Sequence, residues 1–303
     1  MHLEEAVSTE CMKPFEYIAP KDISQAFNSL EEFGEESKLM AGGTDLLVQL
    51  KQGHLAPKVL IDLKKISGLS GIRFEESTGL HIGALTSVAE IESSKIIRVQ
   101  SPVLFQAAGL LGSVQVRNKA TIGGNICRAA PSGDLIPPLL VLNSKVIIKS
   151  LNGKRIVDLE DFFLGSGKTT LKKNEILTEI LVPPPKVAGH GVYIKHGRRK
   201  SVDLAVVGVA VFLSLNPESF LCERFRLALA SVAPVPMRAY EAEIVLHGNK
   251  ITESLIDSCA DAAMKTCNPI SDVYGKEWFK RELVKVLVSR AIKNAAHLQG
   301  MKL

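Results

Sequence analysis

Two short glycine-rich segments contain the residues best suited to binding a ligand. Residues 41–45 read AGGTD, and residues 121–125 read TIGGN. Backbone N–H groups in such segments can replace water on phosphate oxygens, so the pair could hold one diphosphate from both sides. Asp134, which follows the second segment, is a candidate for binding the ribose hydroxyls of a dinucleotide. Tight turns that use glycine only for positive φ are the alternative explanation.

The elements around these segments are predicted from periodicity and glycine content. Residues 38–41 are predicted to form a strand that leads into the first segment, and Thr44 is predicted to open a short helix after it. Residues 115–134 have too little apolar periodicity for a helix and too much glycine for a strand. We therefore expect the second segment to be a binding loop lined by backbone.

The rest of the chain is predicted to contain short strands and several helices. Asp22 and Thr86 are each expected to cap a helix, because an apolar helical pattern follows them. The last helix, at residues 276–298, has a wide apolar stripe that includes Trp278 and Phe279 and is expected to pack on a C-terminal sheet. Strands are predicted at residues 14–18, 59–62, 72–75, 80–82, 145–150, 155–157, 175–182, 192–195, 205–215 and 226–231.

Composition and charge are those of an ordinary globular protein. Hydrophobic residues make up 46% of the chain and charged residues 23%, and 303 residues suffice for about two or three domains. The net charge of +5 is spread along the chain. The densest basic cluster, His196 with Arg198, Arg199 and Lys200, has no interleaved aromatic residue, which argues against nucleic-acid binding. An anionic small ligand is the better prediction.

Cysteine usage indicates a reducing compartment. The five cysteines, of which Cys11 is the first, form no CxxC pair and no cluster with histidine at metal-ligand spacing. We expect reduced thiols in the cytoplasm, no metal site and no iron–sulfur cluster in this chain. The acidic N-terminus lacks the apolar core of a signal peptide, and the longest apolar run, at residues 204–215, is too short for a membrane-spanning helix.

Two familiar nucleotide-binding patterns are not matched. Residues 164–170, LGSGKTT, end like a Walker A loop, but Phe162 stands where that pattern needs its first glycine. A turn is predicted there instead. Neither glycine-rich segment follows the GxGxxG pattern of the Rossmann fold, so a nicotinamide-type dinucleotide fold is not expected.

Five motifs occur in an order that resembles one protein family. They are AGGTDLL at residues 41–47, IGALTSVAEIE at 82–92, VRNKATIGGN at 116–125, SGD at 132–134 and EILTEI at 175–180. The order resembles that in the FAD-binding medium subunit of molybdenum hydroxylases, a group that includes carbon monoxide dehydrogenase, nicotinate dehydrogenase and the flavin part of xanthine dehydrogenase. The resemblance covers nearly the whole chain.

The resemblance implies an α+β chain with an FAD-binding fold of the vanillyl-alcohol oxidase type. Two α/β lobes, at residues 1–63 and 64–185, would hold FAD between them. Residues 186–303 would form a C-terminal lobe of antiparallel sheet with helices. Pro183, Pro184 and Pro185 cannot continue a central strand, which places the last boundary there.

The resemblance also implies which residues bind FAD. Asp134 would lie near the adenosine ribose, Leu177 near the adenine, and Lys195 near the isoalloxazine, where a cation stabilises the anion formed on reduction. A surface lysine is the alternative for Lys195. Cys127 is expected to be a small buried residue, because the family generally holds FAD without a covalent bond. The full set of expected FAD-binding residues is Leu39, Met40, Ala41, Gly42, Gly43, Thr44, Asp45, Leu46, Leu111, Thr121, Gly124, Asn125, Asp134, Leu177 and Lys195.

The implied function is electron transfer, with no catalytic side chain in this chain. A molybdopterin-binding large subunit would oxidise the substrate, and a small [2Fe-2S] iron–sulfur subunit would pass the electrons to FAD here. FAD would deliver them to an external electron acceptor such as NAD, a quinone or a ferredoxin-like carrier. Two alternatives stay open: a self-contained flavin oxidoreductase that binds its own substrate over the ring, and a flavin-free nucleotide-binding scaffold.

Overall fold

The fold contains three main sheets that follow one another along the chain. The computed structural model describes residues 12–199 and 202–301. Cys11, Lys200 and most of the acidic N-terminus, at residues 1–11, therefore lie outside the described residues. None of the helices in the described residues combines the length and the apolar character needed to cross a bilayer.

The N-terminal part is a small parallel sheet with a helix packed on it. Its elements are β1 (Glu16–Ile18), α1 (Ile23–Phe33), β2 (Ser37–Met40), α2 (Leu46–Lys51) and β3 (Val59–Asp62). Both β1 and β2 pair in parallel with β3, which is buried along its whole length. As predicted, Asp22 caps α1, since its carboxylate accepts a hydrogen bond from the Gln25 amide at 2.9 Å.

The middle part is a five-stranded antiparallel sheet covered by short helices. Its helices are α3 (Val88–Ser93), α4 (Lys95–Gln100), α5 (Pro102–Leu110), α6 (Val114–Arg117), α7 (Ile122–Arg128) and α8 (Ile136–Val141). Its strands are β4 (Ile72–Glu75), β5 (Gly79–Gly83), β6 (Lys145–Ser150), β7 (Gly153–Asp158), the hairpin pair β8 (Phe163–Gly165) and β9 (Lys168–Thr169), and β10 (Ile176–Val182). The main sheet has the order β4-β5-β10-β6-β7, and the β8–β9 hairpin is the turn predicted at residues 164–170.

The C-terminal part is an antiparallel sheet with helices packed on it. Its elements are β11 (His190–His196), β12 (Val207–Leu215), β13 (Cys222–Ala230), β14 (Met237–Arg238), α9 (Tyr240–Leu246), α10 (Glu253–Thr266) and α11 (Glu277–His297). The central strand β12 is buried at every position. Val209 and Val211 enter the C-terminal core while Ala210 and Phe212 enter the middle core, because alternate side chains of a strand face opposite sides. The C-terminal sheet therefore packs directly on the middle part.

The second glycine-rich segment is helical, and the predicted loop is wrong there. α7 begins directly after Thr121, whose hydroxyl accepts a hydrogen bond from the Gly124 amide at 3.1 Å. Gly123 packs closely, since a Cβ built on it would lie 2.6 Å from the carbonyl oxygen of Ala84. The cap and this close packing outweigh the low helix propensity of two glycines.

Two predicted helix starts are shifted by one or two residues. α3 is capped by Ser87, which exchanges hydrogen bonds with Glu90, and not by Thr86. The hydroxyl of the buried Thr86 contacts the backbone of Gly71 instead. α2 begins at Leu46, and no side-chain hydrogen bond caps it.

The apolar stripe of the last helix packs as predicted only beyond its first turn. Val284, Leu287 and Ala291 are buried in the C-terminal core. Trp278 is 64% exposed, so the expectation that it packs on the sheet is wrong. Phe279 is 38% exposed and meets the sheet at its edge, where its ring centroid lies 6.4 Å from that of His196 on β11. Both lie at the start of α11, before the buried stripe begins.

Candidate functional site

A cleft of about 1420 Å³ opens between the three parts of the chain. Its walls come from the region of β2 and α2, from α7 and the chain before β10, and from residues 198–199, 202–204 and 273–274 of the C-terminal part. Small-ligand pockets usually measure about 300–1,000 Å³, so this cleft suits an extended ligand such as a dinucleotide.

Most residues predicted to bind the ligand line this one cleft. They are Leu39, Ala41, Gly42, Gly43, Thr44, Asp45, Leu46, Leu111, Thr121, Gly124, Asn125, Asp134 and Leu177. Met40 is buried beneath Gly43, with its sulfur 3.3 Å from the point where a Cβ of Gly43 would stand. Lys195 approaches the cleft through its contact with Asp134. The structure thus brings together segments that are about 80 residues apart in sequence, a folding outcome that depends on long-range contacts.

The two glycine-rich segments touch each other. A Cβ built on Gly42 would lie 2.0 Å from the carbonyl oxygen of Lys119, just before the second segment. An ion pair adds a second link, because the guanidinium Nε of Arg128 lies 2.6 Å from Asp45 Oδ2. Gly42 therefore allows the close approach of two backbones and is not simply open to the cleft.

Free backbone donors occur in the first segment and not at the start of α7. In the described part of the chain, the N–H groups of Gly42, Gly43 and Thr44 donate no hydrogen bond to the protein. By contrast, the amide of Ile122 donates to the Thr86 carbonyl at 3.1 Å and that of Gly123 to the Ala84 carbonyl at 2.8 Å. Tertiary packing therefore already uses these two donors of α7, and the binding of a diphosphate by amides from both segments stays a prediction.

Asn125 offers the cleft an acceptor. Its side-chain oxygen is buried and has no hydrogen-bond partner among the residues that the structure describes. A buried polar atom without a partner costs roughly 1–3 kcal/mol, and a ligand hydroxyl or N–H group in the cleft would remove that cost. Together with the free amides of the first segment, this atom fits a ligand that carries both phosphate and hydroxyl groups.

Asp134 and Lys195 form a buried ion pair. Lys195 Nζ lies 2.7 Å from Asp134 Oδ2 and 3.0 Å from the Leu110 carbonyl oxygen, and its side chain is only 9% exposed. The surface-lysine alternative is therefore wrong. Burial raises the pKa of Asp134, while Lys195 and the hydroxyl of Tyr193, which donates to Asp134 Oδ1 at 2.8 Å, oppose that rise.

This ion pair bears on two predicted roles. The resemblance implies that Asp134 lies near the adenosine ribose and Lys195 near the isoalloxazine, and these two parts are far apart in an extended FAD molecule. Side chains that share a 2.7 Å contact serve the same end of such a ligand. At most one of the two predicted roles therefore holds for an extended dinucleotide.

The remaining lining is largely apolar. Leu39, Leu111 and Leu177 offer surfaces on which a planar ring could pack. The half-buried Cys127 also lines the cleft, and burial raises the pKa of its thiol to about 12, which keeps it protonated at neutral pH. A protonated thiol is a poor nucleophile, consistent with a ligand held without a covalent bond.

Several lining residues were missed in the sequence. Gly123 lies within the second segment and Arg128 just beyond it, but neither gives a local indication of its contact, with Ala84 and with Asp45 respectively. Arg198 and Arg199 belong to the basic cluster noted in the sequence, yet only the fold places them at the cleft. Lys172, Lys173 and Tyr274 also line it.

Comparisons with known families cover almost the whole chain. Residues 13–185 match the family described as the FAD binding domain in molybdopterin dehydrogenase. Residues 192–295 match the family described as the CO dehydrogenase flavoprotein C-terminal domain. The predicted flavin-binding α+β architecture with a C-terminal flavoprotein lobe is thereby confirmed.

Individual relatives agree with these matches. The chain is 36% identical to the carbon monoxide dehydrogenase medium chain of Hydrogenophaga pseudoflava, over 93% of this chain and 96% of that one. It is 33% identical to the glyceraldehyde dehydrogenase medium chain of Sulfolobus acidocaldarius, over 93% and 98%. A solved structure of the Hydrogenophaga pseudoflava carbon monoxide dehydrogenase, which lacks the Mo-pyranopterin moiety, superposes with a TM-score of 0.90 over 95% of this chain and 99% of that one. The chain therefore belongs to the FAD-binding flavoprotein family of the molybdopterin dehydrogenases, as its ordered motifs predicted.

Proposed function

We propose that this chain binds FAD in the cleft and serves as the electron-transfer subunit of a molybdenum-containing hydroxylase. The observation that carries the proposal is the set of free amides at Gly42, Gly43 and Thr44, which faces the cleft of a chain from an FAD-binding family. Free amides at a glycine turn suit the oxygens of a pyrophosphate.

Other groups of the chain would complete the binding. Asn125 would accept a hydrogen bond from a hydroxyl of the cofactor with its free oxygen. The Asp134–Lys195 pair would lie beside the isoalloxazine, with Asp134 on the cleft lining and Lys195 held by its carboxylate. Leu39 and Leu177 would pack against the adenine. Leu46 would line the cleft beside the first segment, and the buried Met40 would support that segment from beneath Gly43. In this proposal none of the described side chains acts as an acid or base.

FAD, when bound, supplies the one-electron and two-electron redox chemistry of the complex. The partners we propose are a molybdopterin-binding large subunit and a small [2Fe-2S] subunit, which donates the electrons, and an external acceptor removes them. The carbon monoxide dehydrogenase relative is itself named as a medium chain. We also propose the division into lobes at residues 1–63, 64–185 and 186–303.

The test is FAD binding by the full chain. We expect the purified protein mixed with FAD to retain a stoichiometric amount after gel filtration, seen as the visible absorption bands of bound flavin. A Gly124→Leu variant should remain folded by circular dichroism and lose the flavin, because its Cβ would stand 2.9 Å from Thr121 Oγ1 and its side chain would enter the cleft beside Ala41. A protein that is colourless after gel filtration from a saturating FAD solution would overturn the proposal.

Gly165→Leu is the matched control. Gly165 lies in the β8–β9 hairpin, its φ is not in the left-handed region, and a Cβ built on it would meet nothing within 4 Å. This variant should bind FAD as the unaltered chain does. Equal flavin content in the Gly124→Leu variant would remove α7 from the site.

A further inference from the structure

A short C-terminal loop presents an aromatic side chain to the cleft. Asp272 and Gly275 pair at its base, and Asp272 Oδ1 accepts hydrogen bonds from the amides of Tyr274 at 2.9 Å and Gly275 at 3.2 Å. Val273 and Tyr274 at the tip line the cleft, and Tyr274 is half-buried. The backbone of the loop is therefore fixed by its own carboxylate.

Two cations tie this loop to the rest of the C-terminal part. Lys280, only 2% exposed, donates to Asp272 Oδ2 at 2.7 Å and to the Ile270 carbonyl at 3.1 Å. Arg198 donates to the Val273 carbonyl at 2.9 Å. Breaking a pair with a buried lysine leaves an uncompensated charge, so the attachment at Asp272 resists opening.

The contact between Arg198 and Val273 indicates on which side of the cleft the loop lies. Arg198 follows Lys195 by three residues on the chain that continues β11, so the loop stands on the side of the Asp134–Lys195 pair. The free amides of Gly42, Gly43 and Thr44 come from the N-terminal part instead. A dinucleotide with its diphosphate on those amides would extend a ring system toward the loop.

We propose that Tyr274 contacts the isoalloxazine ring of bound FAD, and that Asp272 and Lys280 are positioning residues that hold it there. This proposal rests on the proposed FAD binding. A tyrosine offers a planar face for offset stacking. Its side chain already packs against the C-terminal core, which lowers the entropy lost on binding. The loop is thus a preformed wall of the ring site.

The fluorescence of bound FAD tests the contact. A phenol in contact with an isoalloxazine quenches its fluorescence by transferring an electron to the excited ring. We expect the full chain with the Tyr274→Leu substitution to hold brighter FAD and to show a dissociation constant about three- to tenfold higher. Tyr17→Leu is the control, because Tyr17 is 53% exposed on β1 and is not part of the cleft lining. It loses a hydrogen bond to Asp62 and should leave the fluorescence of bound FAD unchanged.

The outcomes separate this proposal from the one on which it rests. Failure of the unaltered chain to bind FAD would overturn the proposed function. Normal binding with unchanged fluorescence and affinity in the Tyr274→Leu variant would overturn the contact alone.

The positioning role has its own readout. Lys280→Met keeps the tyrosine but removes the cation that holds Asp272. We expect this folded variant, and Asp272→Ala as a second one, to brighten the bound flavin as well. A fall in thermal stability with unchanged flavin fluorescence in both variants would show that the pair is merely structural.

Discussion

Gly42 shows how much one missing side chain can decide. It belongs to the AGGTD segment that points to phosphate binding, but its Cα faces the backbone of Lys119 and not open solvent. Each of the two glycine-rich segments is positioned by its contact with the other. The free amides of the first segment are therefore oriented by a contact that glycine alone permits.

Gly42→Ala should weaken FAD binding by more than about tenfold while leaving the chain folded. Its Cβ would stand 2.0 Å from the Lys119 carbonyl oxygen, so one backbone must move and the amides shift with it. Isothermal titration with FAD measures the effect. Gly109→Ala, in α5 with its nearest contact at 3.6 Å, is the control and should bind normally. Unchanged affinity in the Gly42→Ala variant would contradict this account.

At the scale of elements, an ion pair fixes the start of β10 beneath the cleft. Arg155 on β7 binds both oxygens of Glu175, at 2.8 Å and 2.7 Å, and donates to the Thr170 carbonyl at 2.8 Å. These bonds hold the chain between the β8–β9 hairpin and β10. That chain contributes Leu171, Lys172 and Lys173 to the cleft.

Glu175→Gln should lower the free energy of unfolding by about 2 kcal/mol near neutral pH, because a charge-assisted pair is lost. Hydrogen bonds from Arg155 lower the pKa of Glu175 below 4.5, so its contribution to stability is present above pH 4.5 and is lost as the pH falls through the folded-state value. Urea unfolding at several pH values checks this. The difference in free energy of unfolding between Glu175→Gln and the unaltered chain should shrink in acid. The control variant Glu76→Gln, at an exposed position, should match the unaltered chain at every pH.

At the scale of the whole molecule, arginines of the C-terminal sheet hold the middle part. Arg226 donates to the Val141 carbonyl at 2.8 Å, and Arg238 donates to the side chain of Asn143 at 3.1 Å. These acceptors lie at or just beyond the C-terminal end of α8, where cations are favourable. Arg238 also binds both oxygens of Glu243 at 2.6 Å. These bonds join the C-terminal sheet to helix α8 of the middle part.

Arg238→Met should destabilise the chain by about 3 kcal/mol, because it leaves the buried Glu243 without its cation. Urea unfolding followed by circular dichroism measures the loss. Arg290→Met, at an exposed position on α11, is the matched control and should change stability little. Equal stability of the two variants would show that the bonds of Arg238 contribute nothing.

The sequence alone predicted much of this fold, for a physical reason. Helix caps such as Asp22, the turn at residues 164–170 and the alternating strands depend on neighbours a few residues away, so their patterns are local. The ordered motifs did the rest, since they identify the family and hence FAD. The prediction that Thr86 caps a helix is wrong because its hydroxyl hydrogen-bonds to the backbone of Gly71, which is distant in sequence.

What the sequence by itself determined, then, is the family, the cofactor class and the segments that meet in the cleft. Only the tertiary structure decided that residues 122–128 are helical with their first amides already bonded, and that Asp134 and Lys195 form one pair across 61 residues of chain. It alone brought Tyr274 to the cleft. Such contacts depend on how three sheets pack, and periodicity records only which face of an element is buried.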